Sequence, residues 1–386
     1  MTPTRTVLMV TNNYFPYQSG VAQSVHVSTQ ALMSCGYKVV IVTLDIAKAH
    51  DDPDYVMRVP SVLQMQFKKN PIALSWRPDA YLKKIVDDLR PDIIHAHHPW
   101  LLGHSVFKAA RAVRCPLVFT HHTMYQAYAH YVPLPQPVTS FFIKQRVRSY
   151  CAQVDHIIAP SQAVAQTILL QENAAAVSVI PSPIRACFFS AKKPYRQATQ
   201  PLKLVYVGRF VQEKNIQAML DAVALLPAQT YELDCVGYGQ LWHELQQYAY
   251  KKCALNPRHV RFHHKPDEAS LVAWYRQADL FLFPSLSDTQ GLVLAESMAC
   301  GTPVIALDGP GQRSIVSNGH NGYIVATSRQ MADKILFIAR HAQHLKHLSD
   351  AARITARDYT IETHAQRLTS VYESVIEQKK RGSVFT

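Results

Sequence analysis

Two tandem α/β domains, each a doubly wound parallel sheet, are the fold class predicted by this 386-residue sequence. Three observations carry the expectation. Short β-rich runs alternate with helical patterns, the rhythm of βαβ units. A polar, basic, proline-flanked stretch, AKKPYRQATQP at 191–201, divides that alternation into two series and has a linker's composition. Most of the runs end in small or polar residues, where open parallel sheets place their ligands.

The first series reads TVLMVTN, YKVVIVTL, PDIIHAHH, CPLVFTHH, DHIIAPS and VSVIPS; the second reads LKLVYVGRF, YELDCVGYG, VRFHHK, ADLFLFPS, TPVIALD and GYIVA. The expected division is a first domain over 1–190, the linker at 191–201 and a second domain over 202–358. The tail, 359–386, carries IETHAQRLTSVYESVIEQKKRGS, an amphipathic helix with a basic end, expected to pack back toward the first domain.

With 48% hydrophobic and 17% charged residues, the chain has the composition of an ordinary folded protein rather than a disordered one. No apolar run approaches the ~20 residues of a spanning helix. The opening MTPTRTVLMVTNNYFP turns polar too soon for a secretory signal. Seven scattered cysteines without a C-x-x-C pair argue against disulfide and zinc frameworks, so a cytoplasmic setting is expected. The net charge of +13 is shared by both halves and favours a polyanionic partner: a phosphorylated ligand, an anionic membrane or a nucleic acid. Nucleic acid ranks last, because no basic strip interleaves with a recognition motif.

Four stretches could carry chemistry. In VYVGRFVQEKN a strand ends at Gly208, and Arg209 and Lys214 follow, five positions apart, able to grip adjoining phosphates. A solvated turn with Glu213 paired to Lys214 would explain the same residues. In TNNYFPYQSGVAQSV, Gly20 precedes a helix start, which supplies backbone amides for a phosphate or sugar, although a plain strand-to-helix loop needs no ligand. Neither stretch is a P-loop or a G-x-G-x-x-G fingerprint. In VFTHHTMYQAYAHYVP, His121 and His122 follow a strand; successive side chains point oppositely, so one of them faces the ligand side. With His95, His97 and His98 of IIHAHHPW they form a histidine-rich edge, but no nearby acid or cysteine completes a metal set.

The fourth stretch is FPSLSDTQGLVLAESMACGTPVIA at 283–306, with Asp288 and Glu296 eight positions apart in an otherwise apolar run. Ser287 and Gln290 fit a capping box for a helix over 292–299, and Asp288 would favour its positive end. On these residues alone, structural and functional readings stand equal.

The order of the elements is more specific than any one of them. The chain resembles the retaining glycosyltransferases of family 4, which pair two Rossmann-like domains facing a cleft (the GT-B arrangement). The matching residues are the Gly20 loop, His122, Gly208-Arg209-x4-Lys214 and the Asp288-x7-Glu296 element, with NGHNGYIV at 318–325 similar to a late strand-turn of that family. The resemblance implies that Glu296 binds the ribose of a nucleotide sugar and Asp288 the transferred sugar. It places the backbone N–H groups of Gln290, Gly291 and Leu292 at the diphosphate, and Arg209 and Lys214 on the departing charge. It puts His122 on the sugar or acceptor side. The co-substrate is a nucleoside diphosphate sugar, UDP favoured over GDP, with no metal or other cofactor; Gly237 and 263–265 are expected near the base. The reaction implied transfers a hexose to a hydroxyl with retained configuration.

HHTMYQAYAHYVP and GVAQSV are similar to the diacylglycerol glucosyltransferases of this family. Tyr125, Tyr128, Tyr131, Phe141 and Phe142 neighbour Lys144, Arg146 and Arg148, a mixture suited to an anionic bilayer surface. A lipid acceptor and a peripheral place on the cytoplasmic membrane face are therefore expected. A glycan acceptor, as in lipopolysaccharide or capsule assembly, and a nucleotide-sugar-binding protein without turnover are the alternatives.

Overall fold

The computed structural model describes residues 4–17, 19–46, 51–67, 70–122, 125, 136–171, 176–189, 201–264 and 267–384. The chain forms two compact units. One comprises Met1–Pro183 with Ile361–Thr386, the other Ile184–Thr360.

Unit 1 holds β1 (Thr6–Val10), β2 (Lys38–Leu44), β3 (Val56–Val59), β4 (Leu63–Phe67), β5 (Asn70–Leu74), β6 (Ile93–Ala96), β7 (Leu117–Thr120), β8 (His156–Ala159) and β9 (Val177–Val179). Seven of these make a parallel sheet in the order β3-β2-β1-β6-β7-β8-β9. Its helices are α1 (Gly20–Ser34), α2 (Pro78–Leu89), α3 (Leu102–Ala112), α4 (Gln136–Cys151) and α5 (Gln162–Gln171). Val7 to Val10 and Ile93 to Ala96 are buried throughout, as a sheet covered on both faces requires. The sequence expectation lacked β3 and the antiparallel β4–β5 hairpin, registered Leu63 to Leu74. Both are polar-interrupted and partly exposed, so they lack the continuous apolar run that marks a central strand.

Unit 2 holds β10 (Leu202–Arg209), β11 (Tyr231–Tyr238), β12 (Val260–His264), β13 (Leu280–Phe283), β14 (Val304–Leu307) and β15 (Gly322–Val325), in the order β12-β11-β10-β13-β14-β15, all parallel. Its helices are α6 (Ile216–Ala224), α7 (Trp242–Gln247), α8 (Glu268–Gln277), α9 (Leu292–Ala299), α10 (Ser328–Ala339) and α11 (Ala342–Ala356). Side-chain caps start two of them: Asp267 accepts from the Ser270 N–H at 2.8 Å, and Thr327 from that of Gln330 at 3.2 Å.

The division between units falls earlier than expected, at Pro183/Ile184 rather than at 190. Ile184 donates to the carbonyl of Tyr359 at 2.9 Å, and the Phe188 ring is buried in the second unit's core, so this stretch belongs with unit 2. Of the expected linker only residue 201 lies within the described residues. The closing helix α12 (Ile361–Val384) is part of unit 1. Along it, His364 meets Ser28 at 2.9 Å, Tyr372 meets His95 at 2.6 Å, Glu373 accepts from Tyr37 at 2.8 Å, and Lys379 pairs with Asp155 at 2.5 Å.

Each sheet reverses its strand order once, at β1/β6 in unit 1 and at β10/β13 in unit 2. Open α/β sheets bind ligands beyond the carboxyl ends of such neighbours.

Candidate active site

In unit 2, β10 delivers Gly208 and Arg209 to the switch point, and β13 leads to Asp288. Lys214 ends a short 3-10 turn, Gln212–Lys214, after β10. Its ammonium sits 2.7 Å and 2.8 Å from the two Asp288 oxygens, with Phe283 beneath it at 5.9 Å from the ring centroid. Both side chains are largely covered, 18% and 22% exposed, so the pair is only partly screened by water. Arg209 is half-exposed, and its guanidinium lies 3.6 Å from Glu213. The turn thus pairs its charges differently from the simple Glu213–Lys214 contact that the sequence allowed.

Gly237 is a glycine by necessity. Its φ is +152°, and a Cβ there would stand 1.9 Å from the Gly208 carbonyl oxygen. The register pairs Gly208 with Gly237, leaving bare backbone at the carboxyl edge of β10 and β11.

The capping-box reading of Ser287 and Gln290 is corrected. Gly291, at φ 67° and ψ 64°, is the N-cap of α9, and no side chain caps that helix. The Ser287 hydroxyl reaches instead toward the Glu213 carbonyl, at 3.5 Å. Asp288 is held by its carbonyl, which accepts the Gly311 N–H at 2.9 Å, while its carboxylate is committed to Lys214. Gln290 is buried; Gly291 and Leu292 open the helix, where peptide N–H groups favour an anion.

Glu296 lies on α9 and accepts the Tyr275 hydroxyl at 3.2 Å. Its carboxyl is pushed up to about 7, chiefly by burial, with the Arg185 charge and the Tyr275 hydrogen bond pulling down and Glu268 pushing up. A half-buried carboxylate gains from hydroxyl donors brought by a ligand.

Unit 1 gathers histidines at the carboxyl ends of β6 and β7. His122 is half-buried, and its Nε2 is 2.9 Å from Nδ1 of His97. His95 is bonded to Tyr372 and Thr120, and the Asn12 N–H donates to Nδ1 of His98 at 3.2 Å. Burial holds His97 and His122 well below the usual imidazole range, so the pair is neutral at pH 7. Among the described residues no group of three or more His, Cys, Asp or Glu is disposed to hold a metal ion. Gly20 begins α1, capped by the Ser19 hydroxyl, which accepts from Ala22 at 3.1 Å. The space where its Cβ would sit is open to 4 Å, so packing does not demand glycine there.

Two sequence expectations are corrected by placement. Tyr125 packs edge-on against Trp100 and His121, each at 5.1 Å, and so belongs to the packing of unit 1 rather than to an exposed aromatic surface. His263 donates through Nε2 to Asp234 at 2.8 Å and lies on Trp274 at 4.3 Å, on the sheet face under α8 rather than beside a base at the carboxyl edge. Tyr128, Tyr131 and Lys265 lie outside the described residues. Lys144, Arg146 and Arg148 are exposed on α4, with Phe141 and Phe142 exposed at 59% and 64%. Sequence reasoning missed Tyr275 and Arg185, whose only signal is the partner that folding gives each of them, and read His97 only as part of a histidine-rich edge, not as the partner of His122.

The comparisons agree with this architecture. Residues 18–186 match the model of Glycosyltransferase Family 4, and residues 189–355 that of Glycosyl transferases group 1. The chain is 29% identical over 342 residues to an alpha-monoglucosyldiacylglycerol synthase of Streptococcus pneumoniae, covering 85% of this chain and 77% of that one. It is 30% identical over 349 residues to a glycogen synthase of Mycobacterium tuberculosis, covering 82% and 81%. Among solved structures, HepE of Anabaena, in complex with UDP and glucose, superposes with a TM-score of 0.73 at 18% identity, over 96% of this chain and 100% of that one. The paired parallel-sheet units are the GT-B fold, and the chain belongs to glycosyltransferase family 4.

Proposed function

We propose that this glycosyltransferase moves a hexose, with retention of configuration and without a metal ion, from a UDP-sugar to a hydroxyl of a membrane lipid such as diacylglycerol. The observation that carries the reading is the Lys214–Asp288 pair at the β10/β13 switch point, with the N-terminus of α9 and Glu296 following from it. Lys214 has three N–H donors; two are committed to Asp288, and the third is left for a phosphate oxygen. Asp288 keeps lone pairs for the hydroxyls of the transferred sugar. Gln290, Gly291 and Leu292 offer peptide N–H groups to the diphosphate, and Arg209 adds a second cation. Glu296 takes the ribose hydroxyls, with Gly208 and Gly237 giving the nucleotide access to bare backbone.

The anomeric carbon–phosphate oxygen bond breaks as the bond to the acceptor oxygen forms on the same face. The departing phosphate oxygen takes the acceptor's proton, so the protein's contribution is positioning and charge rather than a carboxylate nucleophile. His122, neutral and fixed by His97, is assigned to a sugar or acceptor hydroxyl. Gly20 is assigned to the ligand side of α1, where its surroundings are open.

The lipid acceptor is supported by the pneumococcal relative's name and by α4. Exposed Val138, Phe141 and Phe142 there accompany exposed Lys144, Arg146 and Arg148, a composition that suits peripheral docking on the cytoplasmic membrane face. No helix among the described residues is long and apolar enough to cross a membrane. A glycan acceptor is the second reading, favoured by the identity to a glycogen synthase. Incubation with a panel of UDP- and GDP-sugars, lipid extract and soluble glycans, followed by mass spectrometry, separates them. A glycolipid formed from a UDP-sugar is expected; a lengthened glycan overturns the lipid acceptor. Donor binding without either product supports the non-catalytic alternative.

A further inference from the structure

Glu296 shares its surroundings with a charge that the transfer reaction does not itself require. Arg185 precedes the 3-10 turn Ala186–Phe188, forms an ion pair with Glu268 of α8, and lays its guanidinium 5.2 Å from the centre of the Phe188 ring. Phe188 meets Tyr275 edge-on at 5.9 Å, and the Tyr275 hydroxyl donates to Glu296. One ring stack and one hydroxyl therefore link Arg185 to Glu296 in the middle of α9, while the ion pair fastens it to α8. Its side chain is 30% exposed, so its charge acts through partly dried surroundings.

We propose that Arg185 is a positioning residue for the donor site: clamped by Glu268 and Phe188, it holds a fixed positive charge beside Glu296 and keeps that carboxylate available to the ribose hydroxyls of a nucleotide sugar. The proposal rests on the assignment of Glu296 to the ribose and adds a regulator of that contact.

The ionisable groups that act on Glu296 are Arg185, just before the turn, Cys187 within it, Glu268 of α8, and Tyr275 of α8, which is hydrogen-bonded to it. Burial keeps the Cys187 thiol protonated, at about 11, and Tyr275 is held well above the phenol range, so neither changes charge near neutrality. Glu268 opposes Arg185 and also anchors it. Burial drives Glu296 toward its protonated form, and Arg185 is the largest influence in the other direction. Ribose hydroxyls donate to a carboxylate, so donor affinity rises with pH up to about 7 and is level above it. Without the Arg185 charge that inflection moves upward, because an opposite charge nearby shifts a carboxyl by about one unit or more.

The test is calorimetric titration of UDP-glucose from pH 6 to 9 into the full chain, its Arg185→Met, Arg185→Lys and Glu296→Gln variants. UDP-glucose is chosen because its diphosphate has no terminal ionisation near pH 6, unlike UDP. For an upward move of about one unit, Arg185→Met binds about fivefold more weakly at pH 7 yet matches the parent at pH 9. Arg185→Lys keeps the parent profile, and Glu296→Gln has none. Merely structural damage would weaken binding equally at every pH. An Arg185→Met inflection coincident with the parent's, or an Arg185→Lys profile like that of Arg185→Met, overturns the proposal while leaving the donor site standing. Failure of the parent to bind, or an unchanged inflection in Glu296→Gln, overturns the ribose assignment and the proposal with it.

Discussion

Removing the Lys214 ammonium is the sharpest test of the diphosphate assignment. At ~4 Å and an effective dielectric constant of about 20, opposite unit charges interact by about 4 kcal/mol. The Lys214–Asp288 pair, at 2.7 Å with both partners largely covered, belongs to that class rather than to solvent-exposed bridges. Lys214→Ala does two things at once. It deletes an N–H donor to the leaving phosphate, a loss of about 2.7–4 kcal/mol for comparable donors, and it strands the Asp288 carboxylate beside an arriving dianion. Arg209 offsets part of this, so kcat at saturating UDP-sugar is expected to fall at least about tenfold, and up to about 10³-fold. Asp288→Asn lowers turnover through the sugar contact. The double variant Lys214→Ala/Asp288→Asn removes the stranded charge and should be more active than the product of the two single losses, by about 0.5–3 kcal/mol in the cycle. Initial-rate measurements of glycolipid product across the four proteins, with donor binding measured separately, supply the numbers. Unchanged turnover in Lys214→Ala would refute the diphosphate assignment. Strictly multiplicative losses would refute the idea that the two residues act as a unit.

Three more outcomes follow from the same geometry. Because Glu296 is raised from 4.5 to about 7 in the folded chain, its contribution to stability is complete below pH 4.5 and is lost as pH rises through 7. Thermal melts of Glu296→Gln should therefore lack that component of the decline and exceed the parent at pH 8 by on the order of 3 kcal/mol, the equivalent of about 2.5 units; parallel melting curves against pH would contradict the buried carboxyl. Gly237→Ala must push a methyl into the Gly208 carbonyl at a φ of +152°, so the Tm of unit 2 should drop by several degrees or more, for a loss of about 3 kcal/mol; Gly20→Ala, with open space around it, should melt like the parent. Finally, Phe141→Ser/Phe142→Ser should abolish salt-sensitive flotation with vesicles containing anionic lipid while leaving UDP-glucose binding intact; retained flotation would remove α4 from the docking surface.

The twelve runs that the sequence marks as strands became twelve parallel strands because continuous Val, Ile and Leu can be satisfied only in a sheet covered on both faces. β3, β4 and β5 escaped notice because polar residues interrupt them and their stability comes from the neighbours they pair with. The order Gly20, His122, Arg209, Lys214, Asp288, Glu296 was likewise visible, since spacing along the chain fixes which strand end each residue follows. The partners of those residues were not. Lys214 and Asp288 are 74 positions apart and Tyr275 and Glu296 are 21, so their hydrogen bonds exist only once β10 lies against β13 and α8 against α9. The sidedness of Tyr125 and His263 was equally hidden: composition shows that an aromatic or imidazole ring is present, while packing decides whether it faces solvent, ligand or core. The sequence by itself determined the two-sheet architecture and the residues at its carboxyl edge. Tertiary structure alone decided which charges meet there and which carboxyl is pushed up toward neutrality, because burial and through-space charge depend on elements far apart in the chain.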